Sequence, residues 1–272
     1  MLHIRRIAIV VNRAKPGASA LAAELSQIAA AEDVEVVPIS AHPLPDGALA
    51  GCDVCATLGG DGTLLGVVEQ AAKYQVPVFG INRGKLGFLA NYPAGDAAES
   101  LRAVLRGDCQ VTPRMLLECD FGAPERKVAL NDIVIVQTTH SHMADLRVST
   151  ESALVNSFLC DGLIVSTPTG STAYNLSAGG PLIAPDAAVF ALTPICPHTL
   201  TNRSLIFPAN ETLSVDSRNP HAPLAVEIDG VRLPQEQVRF PICISLSTKT
   251  MRLIQPPAFS HFAMLRDKLR WV

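Results

Sequence analysis

From the amino end, residues 4–11 form a near-continuous apolar run that stops at Asn12, the pattern of a strand covered on both faces of a parallel sheet. Leu21, Leu25 and Ile28 then recur at helical spacing in an alanine-rich segment, and residues 34–39 return to strand composition. The chain thus opens as a βαβ unit. A loop through Pro43, Pro45 and Gly47 leads to a buried strand over 53–58, a helix-like stretch over 64–73 and a further strand over 76–81. This alternation predicts an α/β domain with a Rossmann-like open sheet. Ligands of such sheets sit beyond the carboxyl ends of the strands, where the loop at Gly59 and the segment 82–89 both fall.

One more helical stretch, 97–106, closes this pattern. Beyond it helical periodicity fades, and strand-like apolar runs follow over 115–121, 128–137, 146–150, 157–165 and 212–215. Asp229-Gly230, between apolar runs over 224–228 and 231–233, is a hairpin signal of type I′ character. The expected organisation is an α/β nucleotide-binding domain, residues 1–110 plus 252–272, and a β-rich domain, residues 111–251. Leu253-Ile254, a Pro256-Pro257 break and a short amphipathic tail with Phe262, Leu265 and Leu269 end the chain. That tail is expected to pack back on the first domain.

Composition narrows the chemistry. With 272 residues, 48% of them hydrophobic, the chain can bury the cores of two modest domains. A net charge of −3 offers no general attraction for nucleic acid or an anionic membrane, so a phosphate ligand has to be held by local groups. Residues 1–6 lack a signal-peptide pattern, and no apolar stretch approaches the roughly 18 residues of a membrane span. A cytoplasmic protein is expected. Seven scattered cysteines make no disulfide framework. Cys52 and Cys55 lie at the start of a buried strand whose alternation would send their side chains to opposite faces, and His140-Ser141-His142 has no partner pair for zinc. No metal-ligating residue is predicted.

Two stretches carry chemistry. In Gly59-Gly60-Asp61-Gly62-Thr63 the glycines let a polyanion approach the backbone, and positive φ would turn successive N–H groups toward it. Asp61 would repel phosphate, which suggests a proton acceptor or a partner for sugar hydroxyls or a metal ion. In the second stretch, 161–181, Ser166, Thr167, Thr169, Ser171 and Thr172 lie beside Asp161, Tyr174 and three glycines. A helix starting near Ser171 would add free N–H groups to those hydroxyls.

These stretches, with Asn82-Arg83-Gly84-Lys85-Leu86-Gly87-Phe88-Leu89, Ala129-Leu130-Asn131-Asp132, Pro194-Ile195-Cys196-Pro197-His198 and Arg203-Ser204, resemble the NAD kinase family in family order over nearly the whole chain. The resemblance implies ATP-dependent phosphorylation of the 2′-hydroxyl of the adenosine ribose of NAD, with Asp61 as proton acceptor. It also implies a divalent cation, Mg²⁺, bridging the ATP phosphates, and assembly into homodimers or homotetramers. By the same resemblance Gly62 would let the nucleotide approach, and Phe88 would lie near adenine. Asn131, Asp132 and His142 would contact the dinucleotide, and Asp161 would anchor its nicotinamide side. Thr169, Thr172, Ala173, Tyr174 and Ser177 would line the nucleotide pocket. The chain departs from the family pattern in three places: Asp132 stands for a Glu, Leu159 for an Arg and Val231 for a Gln. Three other readings compete: a non-catalytic dinucleotide-binding regulator, a lipid kinase sharing Gly-Gly-Asp-Gly-Thr, and a structural protein whose loops are only turns. In lipid kinases Asn-Glu usually follows shortly after the glycine motif, where this chain has Leu64-Leu65-Gly66.

Overall fold

The computed structural model describes residues 3–40, 44–84, 87–139, 143–219 and 223–271. It divides into two compact units, Met1–Pro113 with Met251–Val272, and Arg114–Thr250. Among the described residues no helix is long and apolar enough to cross a membrane.

The first unit runs β1 (Arg6–Val11), α1 (Ala18–Ala31), β2 (Glu35–Ile39), β3 (Val54–Gly59), α2 (Asp61–Leu65), α3 (Val68–Tyr74), β4 (Val78–Asn82), β5 (Tyr92–Pro93) and α4 (Ala97–Arg106). β1 pairs in parallel with β2 on one side and β3 on the other, and β3 pairs in parallel with β4. Strand order therefore reverses between β1 and β3, and the crevice for a ligand opens at their carboxyl ends. Every residue of β3 is buried. Leu25 and Ala29 of α1, with Leu101 and Val104 of α4, pack against Ile7, Ile9, Leu58 and Phe79 of the sheet.

The helix-like stretch over 64–73 is two helices. At the junction the Val67 N–H bonds the Leu64 carbonyl at 3.1 Å, a tightened turn at Gly66, where a helix interior is weakest. The tightening keeps Leu64, Val67 and Val68 all buried.

The second unit contains the rest of β6 (Gln110–Asp120), then β7 (Lys127–Ala129), β8 (Asp132–Gln137), β9 (Ala144–Ser149), β10 (Leu154–Cys160), β11 (Gly162–Ser166), the short α5 (Tyr174–Ser177), β12 (Val189–Ile195), β13 (Leu205–Pro208), β14 (Thr212–Ser217), β15 (Leu224–Ile228), β16 (Val231–Arg232) and the first part of β17 (Ile242–Gln255). One sheet has the order β13-β12-β11-β8-β15-β16, antiparallel throughout. A second sheet pairs β10, β9, β14 and β17. Phe158, Leu146, Val215 and Ile244 of one share a core with Ile135, Leu163, Phe190 and Val226 of the other.

Two single runs expected from composition are each a pair of strands. Residues 157–165 break at Asp161, where the chain leaves the pairing of β10 with β9 and enters that of β11 with β8. Residues 128–137 break at Leu130-Asn131, whose backbone is diverted to side-chain partners. Between β15 and β16, Asp229 and Gly230 have φ of 48° and 79°, the two positive values a type I′ turn requires. The strands β12 and β13 and the run over 242–250 are additions to the expected elements.

The first unit closes with the end of β17, where Leu253 pairs with Val78, and with α6 (His261–Leu269), whose Leu265 is buried. The tail thus belongs to the α/β unit.

Leu58 is wholly buried in β3 directly before the glycine loop. Leu58→Ala is expected to cost about 2–5 kcal/mol, read as a lower denaturant midpoint for the first unit. Val231→Ala, at 63% exposure, should shift stability by less than about 0.5 kcal/mol.

Candidate active site

The glycine loop links β3 to α2. Asp61 is the first residue of α2, and its carboxylate accepts three backbone N–H groups: Phe88 to Oδ2 at 2.9 Å, Leu89 to Oδ1 at 3.2 Å and Ala90 to Oδ1 at 2.9 Å. A Cβ on Gly87 would overlap this carboxylate, so the approach of Asp61 to the backbone requires glycine there.

The glycines of the motif differ from expectation. None of Gly59, Gly60 and Gly62 is among the residues of positive φ, so left-handed backbone is not their reason. A Cβ on Gly59 would strike the Thr63 side chain, whereas one on Gly60 or Gly62 would meet nothing within 4 Å. Gly59 therefore answers to packing. Packing within the protein leaves Gly60 and Gly62 unexplained, and bare backbone facing open space is what a close-lying ligand would need.

The end of β1 joins the same site. The Asn12 amide donates to Thr63 Oγ1 at 3.4 Å across the switch point, and Asn12 Oδ1 accepts the Ala14 N–H at 3.0 Å, an Asx turn. The Arg83 guanidinium donates to the Pro16 carbonyl, and the Arg83 N–H to the Gly59 carbonyl at 2.8 Å. These contacts fix the loop that carries Lys15. A cavity of about 350 Å³ results, lined by Asp61, Asn82, Phe88, Lys15, Lys268 and loop glycines.

In the second unit the organising group is Asp229, expected only as a turn residue. Its carboxylate accepts the N–H groups of Leu130 at 2.7 Å, Asn131 at 2.7 Å and Asp132 at 3.2 Å. From the other side the Thr167 hydroxyl donates to the Leu130 carbonyl. A Cβ on Gly170 would meet the Asn131 carbonyl, so the 167–170 turn and the 130–132 loop lie backbone to backbone.

Asp132 is 5% exposed, and no described residue donates to its carboxylate. Burial first, then the Asp229 and Glu227 carboxylates, push it up to about 7. Burial likewise raises Asp229 to about 6 against the lowering effect of its three N–H bonds. Those donors favour the ionised form of Asp229, so of the two carboxyls Asp132 is the one that holds a proton to higher pH.

Of the five hydroxyls expected to face a ligand, three are internal. Ser166, Thr167 and Ser171 are fully buried and bond backbone groups at Asn131, Leu130, Pro168 and Ile183. They brace the turn, and they leave Thr169 and Thr172 half-exposed. The expected helix is a 3₁₀ turn, Thr169–Thr172, followed by the single turn Tyr174–Ser177, too short to supply an anion-binding end. Ala173 is half-buried and Ser177 exposed, while Tyr174 is 44% exposed and so outside the core. Asn175, fully buried, bonds the Ser171 and Pro181 carbonyls and accepts from Thr193 at 2.7 Å. Asp161, at the change of sheets, accepts the Gln137 amide at 2.9 Å. His142 lies outside the described residues. Among the described residues no cluster of three His, Cys, Asp or Glu side chains is placed to hold a metal, and the seven cysteines are free thiols.

Residues 42–109 match the model of the ATP-NAD kinase N-terminal domain, and residues 130–255 that of the C-terminal domain. An NAD kinase of Protochlamydia amoebophila is 33% identical over 272 residues, covering 97% of this chain and 98% of that one. One of Sulfurimonas denitrificans is 37% identical over 223 residues, 81% of this chain and 78% of that one. Among solved structures, the NAD kinase of Archaeoglobus fulgidus in complex with ATP aligns with a TM-score of 0.79 at 26% identity, covering 98% of this chain and 99% of that one. Yeast NADH kinase complexed with NADH has the same fold, with a TM-score of 0.88 at 21% identity over 98% of this chain and 88% of that one. On the two matched domains and on identity to relatives over 81% and 97% of its length, the chain belongs to the NAD kinase family.

Proposed function

We propose that the chain transfers the γ-phosphoryl group of ATP to the 2′-hydroxyl of the adenosine ribose of NAD, giving NADP and ADP, with Asp61 as proton acceptor. The observation that carries this reading is the carboxylate itself, aimed into a glycine-walled cavity by three backbone donors. Oδ1 takes two of those donors and Oδ2 one, so Oδ2 keeps a lone pair for a ribose hydroxyl. As the ribose oxygen bonds the γ-phosphorus, the bond to the bridging oxygen breaks and ADP leaves with its electron pair. The hydroxyl proton passes to Oδ2. In a loose phosphoryl transfer most of the remaining acceleration comes from positioning and charge neutralisation.

Asn131, Asp132 and Asp161 are the dinucleotide ligands in this reading, with Thr169, Thr172, Ala173, Tyr174 and Ser177 along the nucleotide pocket and Phe88 near adenine. A protonated Asp132 offers an O–H donor as well as an acceptor to a ribose or base. The described residues supply no metal cage, and Asp61 is largely engaged by N–H donors. Mg²⁺ in this reading is carried by the ATP phosphates. A cytoplasmic homodimer or homotetramer completes the proposal, with light scattering as the check on its size.

Leu159, 42% exposed, places no cation where the family pattern has Arg, which supports NADH as a second acceptor. The experiment is NADP or NADPH formation from NAD or NADH with ATP and Mg²⁺. Asp61→Asn should keep the fold and NAD affinity but lose turnover by about a hundredfold or more, the scale of general-base catalysis. An unchanged rate would remove Asp61 from the chemistry.

Gly62→Ala separates ligand from packing. Because a Cβ there meets only open space, its melting temperature should equal or exceed that of wild type while affinity for ATP falls. Gly87→Ala should instead lower the melting temperature, because it displaces Asp61.

Asp132 sets a pH dependence. Its carboxyl, at about 7 when folded and about 3.9 when unfolded, favours the folded state fully below about pH 4. That contribution is lost as pH rises toward 7, because the unfolded chain ionises first. Asp132→Asn should therefore gain stability relative to wild type between pH 4 and 7 and hold the gain above it. Denaturant midpoints that move in parallel across this range would contradict the assignment.

A further inference from the structure

The cavity around Asp61 contains a residue from the far end of the chain. Lys268 lies on α6, one turn beyond Leu265 and therefore on the same helical face. Leu265 is 4% exposed, so the face it shares with Lys268 is the one turned to the unit. The segment leading to α6 is tied down. Gln110 donates to the Pro257 carbonyl at 2.9 Å, Thr112 Oγ1 bonds Gln255 at 3.0 Å, and Ser260 caps the helix by accepting the Ala263 N–H at 3.3 Å.

Lys15 belongs to the same cavity lining, on the loop held by the Asx turn at Asn12 and by Arg83. Neither ammonium forms an ion pair or a side-chain hydrogen bond with a described residue. Lys73, by contrast, pairs with Asp46 at 2.7 Å. These two share a concave site with one carboxylate among its described residues, already engaged by backbone donors, and with bare glycine backbone in its wall. Two cations against one anion among the described lining residues give the cavity a positive balance although the chain as a whole has net charge −3. A polyphosphate is the ligand such a site fits: it carries several charges along a short chain, each able to meet an ammonium as a point charge.

We propose that Lys15 and Lys268 clamp the polyphosphate of the phosphoryl donor, which makes the C-terminal helix a working part of the donor site. This rests on the reading of the cavity as the donor site made above, and it assigns the charge neutralisation which that reading needs to two named side chains. Since both ammoniums act on the donor, their removal should weaken donor binding and leave the acceptor alone.

The test compares wild type with Lys15→Met, Lys268→Met and Lys268→Arg. KM for ATP is read at saturating NAD, KM for NAD at saturating ATP, and binding of inorganic tripolyphosphate by calorimetry, without turnover. Each Met variant should raise KM for ATP and weaken tripolyphosphate by about tenfold, the scale of one lost charge-assisted contact. KM for NAD should stay within about twofold, and Lys268→Arg should recover most of the loss because it keeps the charge. Lys268→Gln, likewise neutral, serves if a Met variant does not fold. Unchanged ATP and tripolyphosphate binding in folded variants at both positions would overturn the clamp. If wild type forms no NADP, the functional reading fails separately. The clamp then stands if tripolyphosphate binds wild type and is weakened in the variants, and falls if tripolyphosphate does not bind wild type.

Discussion

A carboxylate that gathers three consecutive backbone N–H groups is the constraint on which the site is built, and the chain uses it twice. Asp61 gathers those of Phe88, Leu89 and Ala90, and Asp229 those of Leu130, Asn131 and Asp132. Each loop leaves the end of a strand or enters one, where backbone donors have no ladder partner and would otherwise be left for water. An aspartate satisfies three at once and bends the loop around itself. Replacing either acid by a side chain with no acceptor would therefore strand a whole loop as well as remove one charge.

The two acids differ in what remains to them. Asp229 lies in a type I′ turn with its carboxylate drawn inward, and its three bonds leave it a structural role. Its negative charge helps to raise the neighbouring Asp132, which is buried with no described donor of its own. Asp61 faces a cavity instead, and the uneven division of donors between its oxygens leaves one lone pair open. The same device thus fixes a loop in one unit and turns a carboxylate toward a cavity in the other.

Much of this was legible in the sequence, for a physical reason. Period and composition reveal the parallel strands because both faces are buried, and the alternation of β1, α1 and β2 leaves few other arrangements. Glycines and hydroxyls clustered about acids marked the two chemical stretches, and the family resemblance added the others. Side-chain partners far away in sequence were not legible. Asp229 reads as a turn residue because its hairpin signal is local, whereas its contacts lie about a hundred positions upstream. The hydroxyls of 166–172 read as a ligand surface because composition cannot tell a hydroxyl that donates to a nearby carbonyl from one left facing outward. Lys268 carries no motif at all. Only the fold of the tail brings it to the loop at Gly59.

That last point bears on how charge is arranged for phosphoryl transfer. A donor site lined by fixed carboxylates would need metal to neutralise both protein and substrate. Here the described residues offer the cavity one carboxylate, and the balance is cationic. Side chains from opposite ends of the chain supply that balance, one after β1 and one on α6, so it exists only once the first unit has closed on its C-terminal helix. In the proposed reading, electrostatic preorganisation of the donor pocket and completion of the α/β fold are then one event, because the helix that buries Leu265 also carries Lys268 to the cavity.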